Sequence, residues 1–171
     1  MKTKNTPVFH ETQKFTQIWV WMLLLIPAAV LLYKTAAQIV FGVPWGNEPP
    51  SNALLLFINA IWLTIVILFA TVRLDTRIDK RGISYRFKPF HQSDRVIRRE
   101  SISGCSVEEF SYMTMRGFHG IRFRPFHGGW TYTIRGNKWI KIDLQNGKRI
   151  FIGTQKPAEA SIAIRKMMGM V

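Results

Sequence analysis

Residues 53–72 read Ala53-Leu54-Leu55-Leu56-Phe57-Ile58-Asn59-Ala60-Ile61-Trp62-Leu63-Thr64-Ile65-Val66-Ile67-Leu68-Phe69-Ala70-Thr71-Val72, without a single charge. A bilayer core takes about 20 helical residues at about 1.5 Å each. Backbone groups facing lipid must find their hydrogen bonds within the segment, so the expected conformation is a helix. The run stops at Arg73 and the pattern changes at once. Leu74-Asp75-Thr76-Arg77-Ile78-Asp79 alternates apolar and polar residues, the period of a half-buried strand.

A second apolar run lies upstream. Phe15 to Tyr33 holds no charge, Lys34 interrupts it, and Thr35 to Phe41 continues it weakly. The division that follows is a tail at residues 1–14, a first span at 15–37, an outer loop at 38–52, a second span at 53–72 and a basic domain at 73–171. Trp19, Trp21 and Trp45 flank the first run, where amphipathic rings favour headgroup depth. Lys34 can extend its charge outward along its stem. Pro27 should kink the first helix, and Asn59 can bond across to it. Pro27, Ala28, Ala29 and Asn59 are therefore the candidate helix-packing residues.

The loop from Gly42 to Asn52 carries Glu48 and no Lys or Arg. Lys2, Lys4 and Lys14 precede the first run, and Arg73, Arg77, Lys80 and Arg81 follow the second. The positive-inside bias predicts a multi-pass protein of the inner (cytoplasmic) membrane, with the N-terminus and the C-terminal domain both cytoplasmic. The first run is longer than the apolar core of a signal peptide and is expected to be retained.

The chain has 171 residues, with 24 Lys and Arg against 10 Asp and Glu, a net charge of +14. Twenty of the basic and eight of the acidic residues follow Val72. Cys105 stands alone, which excludes an internal disulfide and a multi-cysteine zinc site. No phosphate-binding glycine loop, His-Glu-x-x-His or nucleophile elbow occurs. His10, His91, His119 and His127 are scattered, and Glu108 and Glu109 would point to opposite faces of a strand. The expectation is a protein that is not an enzyme, with no cofactor and no metal.

Strands continue through the basic domain. Lys80-Arg81-Gly82 reads as a turn, and Ile83 to Lys88 alternates again. Gly104–Phe110, Gly120–Arg124 and Trp130–Ile134 are further candidates. Trp139–Leu144 and Lys148–Ile152 flank Gln145-Asn146-Gly147, the clearest hairpin signal in the chain. A helix follows: Thr154 is a candidate N-cap, Pro157 and Glu159 suit the first turn, and Gly169 suits the stop. Ala160, Ile164, Met167 and Met168 fall on one helical face. The predicted fold class is membrane α + β: a transmembrane helix hairpin, then about seven strands in an antiparallel barrel or sandwich closed by a C-terminal helix.

This layout resembles the bacterial pleckstrin-homology-like (PH-like) membrane proteins, a largely uncharacterised group. The residues that carry the resemblance are Leu74 to Phe90, Gly117 to Arg122, Trp130 to Gly136 and, most specifically, Leu144 to Pro157. The resemblance implies a PH-like fold over roughly the last hundred residues and no particular ligand.

Arg73, Arg77, Lys80, Arg81, Arg86 and Lys88 are the candidate contacts to lipid headgroups. Each basic residue near an anionic leaflet contributes roughly 1 kcal/mol, decaying within a Debye length of about 8–10 Å. Arg95-Val96-Ile97-Arg98-Arg99 with Tyr85, Phe87 and Phe90 also has the composition of a nucleic-acid surface, but leaflet electrostatics explains the charge and no nucleic-acid partner is expected. The functional expectation is a non-enzymatic scaffold: a membrane-anchored PH-like module that contacts anionic inner-leaflet lipids, a protein partner or a second copy. The alternative is an accessory subunit of a larger integral membrane complex.

Overall fold

The computed structural model describes residues 8–109, 120–124 and 129–170. They form two compact units, one of residues 15–71 and one that joins the N-terminal segment to everything after Thr71.

The first unit is a pair of helices, α1 (Ile18–Phe41) and α2 (Asn52–Thr71). Both are long and apolar enough to cross a membrane. α1 runs past the expected end at residue 37, because Gln38 to Phe41 add one more turn before Gly42 closes the helix in the left-handed conformation. Gln38 also organises the connection. Its amide donates to the Pro50 carbonyl at 2.8 Å and to Asn52 Oδ1 at 2.9 Å.

The second unit holds nine strands among the described residues. The first is β1 (Phe9–Lys14), within the segment read from sequence as a tail. β2 (Arg73–Asp79) and β3 (Gly82–Lys88) form the expected hairpin, and β4 (Arg95–Arg98) follows. After a 3-10 turn at Arg99–Ser101 come β5 (Ile102–Glu109), β6 (Gly120–Arg124), β7 (Gly129–Thr133), β8 (Lys138–Leu144) and β9 (Arg149–Gly153). The helix α3 (Pro157–Met168) ends on Gly169. The strands make a four-stranded sheet, β1-β2-β3-β4, and a five-stranded sheet, β5-β8-β9-β7-β6.

All pairs are antiparallel except β7 with β9, which is parallel. This corrects the wholly antiparallel expectation. Consecutive strands usually pair, but here β9 inserts between β7 and β8. The short link from Ile134 to Asn137 passes the end of β9, where Thr154 N donates to the Lys138 carbonyl at 2.9 Å. Gly136 makes that passage with a φ of 91°.

The hairpin at residues 145–147 forms as read. Gly147 N donates to the Leu144 carbonyl and Leu144 N to the Lys148 carbonyl, with Gly147 at φ 76°. This is the three-residue loop whose last position favours glycine.

Leu74, Ile78, Ile83, Tyr85 and Phe87 line the inner face of the four-stranded sheet, and Tyr132, Ile134, Ile140, Ile142 and Ile152 face them from the other. Tyr85 meets Tyr132 at 4.8 Å between ring centroids. α3 adds Ala160, Ala163, Ile164 and Met167. Burying each large apolar side chain contributes about 1.5–3 kcal/mol. Part of the opposite face of the five-stranded sheet is also enclosed: Trp139 and Phe151, on the side away from Ile140 and Ile152, are buried and meet edge to face at 5.9 Å.

Candidate functional site

The alternation of the four-stranded sheet sorts its residues onto two faces. The inner face is the core. The outer face carries His10, Thr12 and Lys14 of β1, Arg73, Asp75 and Arg77 of β2, Ser84, Arg86 and Lys88 of β3, and Val96 and Arg98 of β4. Six of these are permanent cations on one side of one sheet.

Strand register arranges them in rows. Lys14 is the Cα partner of Arg73, and Arg73 of Lys88. The next row is Thr12, Asp75 and Arg86, and the next is His10, Arg77, Ser84 and Val96. The outer face carries two strand carboxylates, Asp75 in the middle row and Asp79 at the far end beside Gly82. Asp75 accepts from the Thr12 hydroxyl at 2.6 Å and lies 3.4 Å from Arg73 Nε, while Arg86 is ion-paired with Asp94.

The six cations expected from sequence are therefore not one cluster. Arg73 and Lys88 share a row at one end of the sheet. Arg77 and Arg86 lie on the same face further along. Lys80 and Arg81 sit at the β2–β3 turn, where Asp79 Oδ1 accepts from the backbone N–H groups of Arg81 and Gly82. Seven residues of strand put that turn roughly 20 Å from Arg73. Two outer-face cations, Lys14 and Arg98, were not among the expected contacts. Lys14 is overlooked because β1 carries no apolar alternation, and Arg98 because its segment reads as a charge run.

β1 is held by polar chemistry on its inner face. Glu11 and Gln13 are both buried. The Glu11 carboxylate accepts from Thr154 Oγ1 at 2.6 Å, from the backbone N–H of Gln155 at 2.7 Å and from Gln13 Nε2 at 3.1 Å. Gln13 Nε2 also donates to the Gly153 carbonyl at 2.6 Å. These bonds tie β1 to the end of β9 and to the residues that open α3. Thr154 is thus not the N-cap expected from sequence. Lys156 holds that position, and Thr154 Oγ1 accepts from its N–H at 3.1 Å.

Three titratable groups, Tyr85, His91 and Cys105, are shifted toward their neutral forms. Burial, and then the neighbouring Tyr132, push the Tyr85 hydroxyl well above the usual tyrosine value. Burial, and then Arg95, lower His91 from the ordinary histidine value. Burial, and then Asp143, push the Cys105 thiol up to about 12, so it is not a thiolate nucleophile near neutrality. Glu108 and Glu109 pair with Lys141 and Lys138 respectively. His119 and His127, and the first half (117–119) of the Gly117-to-Arg122 stretch that contributed to the PH-like resemblance, lie outside the described residues.

In the helical unit, Asn59 Nδ2 donates to Thr35 Oγ1 at 2.7 Å and to the Leu55 carbonyl at 2.8 Å. Pro27 removes one N–H from the α1 ladder, and Trp62 of α2 donates Nε1 to the nearby Leu24 carbonyl at 2.9 Å. Ala28 and Asn59 line an apolar groove of about 300 Å³ with Leu25, Leu32, Ala60 and Leu63. Ala29 is exposed and Pro27 is half-buried.

These features define a class of protein: an apolar helix pair joined to a two-sheet β domain with a one-sided basic face and a closing C-terminal helix. The chain belongs to the DUF6141 family, a family of unknown function, whose model matches residues 1–170. No curated protein matches it.

Proposed function

We propose that this protein is a non-enzymatic, membrane-anchored PH-like module whose four-stranded sheet contacts the anionic inner leaflet. The observation that carries the reading is the collection of Lys14, Arg73, Arg77, Arg86, Lys88 and Arg98 on one face of that sheet, opposite an apolar core. α1 and α2 serve as the anchor. The pairing of β1 with β2 supports a hairpin topology, because the segment before α1 and the segment after α2 join one sheet. Both must then be on the same side of any membrane the helices cross, and the lysine and arginine bias favours the cytoplasmic side.

Leaflet attraction of this kind is screened by salt. Full-length protein in nanodiscs containing phosphatidylglycerol is expected to unfold at a higher temperature than in phosphatidylcholine nanodiscs. The difference should shrink strongly in 1 M salt, where the Debye length is about 3 Å. Equal unfolding temperatures in the two lipids at low salt would refute leaflet contact.

The groove beside Ala28 and Asn59 favours a second reading, an accessory subunit whose helices pack against those of a larger complex. Purification from native membranes in mild detergent tests it. A stoichiometric membrane partner supports the subunit reading, and a lone monomer opposes it.

A further inference from the structure

We infer that Lys14, Arg73 and Lys88 form a discrete site for one phosphate group of an anionic lipid, distinct from the diffuse charge of the rest of the sheet. The inference rests on the leaflet-contact reading and narrows it to one row of the sheet.

Register is the first argument. The three residues are successive Cα partners across β1, β2 and β3, and all three point to the outer face. Directly opposed side chains have Cβ atoms about 4.5–5.5 Å apart. The outer two side chains therefore start about 10 Å apart, with Arg73 between them, and all three can converge on one tetrahedral anion. Like charges directly opposite one another are unfavourable, so an anion in their midst relieves a repulsion built into the fold.

The distribution of carboxylates is the second argument. The neighbouring row is already compensated, with Asp75 in it and Arg86 paired to Asp94. Among the described residues Lys14 and Lys88 have no ion-pair partner, and Arg73 has only Asp75, at 3.4 Å. Asp75 is itself held by the Thr12 hydroxyl. Arg73 Nε is buried against Asp75 without a hydrogen bond, while the side chain as a whole is 40% exposed, so the remaining guanidinium N–H groups can donate to a phosphate oxygen. Positive charge is thus focused in one row.

Chain connectivity is the third. Only Val72 separates Thr71, the last residue of α2, from Arg73, and three residues separate Lys14 from Ile18, the first of α1. An extended residue spans at most about 3.6 Å. If α1 and α2 cross the bilayer, two members of the row are tethered close to the depth at which lipid phosphates lie. The far turn at Lys80 and Arg81 has no such tether.

The test uses full-length protein in uncharged detergent, titrated with short-chain phosphatidylglycerol, short-chain phosphatidylcholine or glycerol phosphate, with bound lipid counted by native mass spectrometry. One phosphatidylglycerol should be retained per chain. K14Q/K88Q should weaken its binding at least tenfold, and R77Q/R98Q, on the same face outside the row, less than threefold. Lys14, Arg77 and Arg98 are exposed and Lys88 is half-buried, and an unchanged unfolding temperature will verify that each variant folds. Equal losses in the two double variants would overturn the discrete site while leaving general leaflet contact standing. No preference for phosphatidylglycerol over phosphatidylcholine would overturn both. Equally tight binding of glycerol phosphate would assign the row to a soluble phosphate and overturn its lipid identity.

Discussion

Replacing Glu11 with alanine is expected to destabilise the β unit by about 3 kcal/mol and to release β1 from the sheet. The carboxylate is buried and serves three donors: the Thr154 hydroxyl, the Gln155 N–H and the Gln13 amide. Hydrogen bonds to a charged acceptor contribute about 1.5–3 kcal/mol each, and removing the acceptor leaves buried donors unsatisfied. Part of that loss is offset, because the variant no longer desolvates a charge. Glu11→Gln keeps one acceptor oxygen and should lose about half as much. The effect extends to the basic face: once β1 detaches, Lys14 leaves the row it shares with Arg73 and Lys88. Chemical unfolding combined with hydrogen exchange at residues 9–14 measures both consequences. A variant within about 0.5 kcal/mol of the parent, with β1 still protected, would show that the Glu11 network does not hold the strand.

Gly82→Ala is expected to cost about 3 kcal/mol by a different mechanism. Gly82 opens β3 with a φ of 147°, and a Cβ there would lie 2.0 Å from the Ile97 carbonyl oxygen. That contact is with the backbone of the neighbouring strand, so no side-chain movement relieves it. An unfavourable backbone conformation costs about 1–3 kcal/mol, and each ladder hydrogen bond lost adds about 0.5–1.5 kcal/mol. Among the described residues β4 pairs only with β3, so it should separate first and take Arg98 off the basic face. Faster amide exchange confined to residues 95–98, with β8 and β9 unchanged, is the expected signature. Unchanged protection in β4 would mean that the strand pair tolerates the methyl group.

What the sequence disclosed, and what it hid, follows from the kind of signal each element carries. α1 and α2 stand out because a long uncharged run has few alternatives. The β2–β3 and β8–β9 hairpins are legible because apolar residues recur at every second position and their turns contain glycine. β1 is hidden because its inward positions after Phe9 are Glu11 and Gln13, which read as a solvated tail. Only their partners, more than 100 residues away at Gly153, Thr154 and Gln155, make them interior residues. The parallel pairing of β7 with β9 is likewise a long-range outcome, since residues 129–133 carry no local sign of which strand will lie beside them.

The basic face was half legible. Alternation along β2 and β3 places Arg73, Arg77, Arg86 and Lys88 on one side, but composition alone also grouped them with Lys80 and Arg81. The turn carries those two residues to the far end of the hairpin. Lys14 and Arg98 join the face through strand pairings that the local pattern did not reveal. Ion pairing further separates Arg86, held by Asp94, from Lys88, which has no such partner among the described residues.

The central claim is that the outer face of the four-stranded sheet meets anionic lipid, and a probe on that face tests it most directly. Ser84 lies on β3 opposite Val96 and Arg77, and Ser103 lies on β5 of the other sheet. With Cys105 replaced by serine, a polarity-sensitive fluorophore can be attached to Ser84→Cys or Ser103→Cys in the full-length protein. In phosphatidylglycerol nanodiscs the Ser84 probe should shift to the blue and lose access to a soluble quencher. The Ser103 probe should change little, and 1 M salt should reverse the Ser84 response. A Ser84 probe equally exposed in phosphatidylglycerol and phosphatidylcholine would contradict the account.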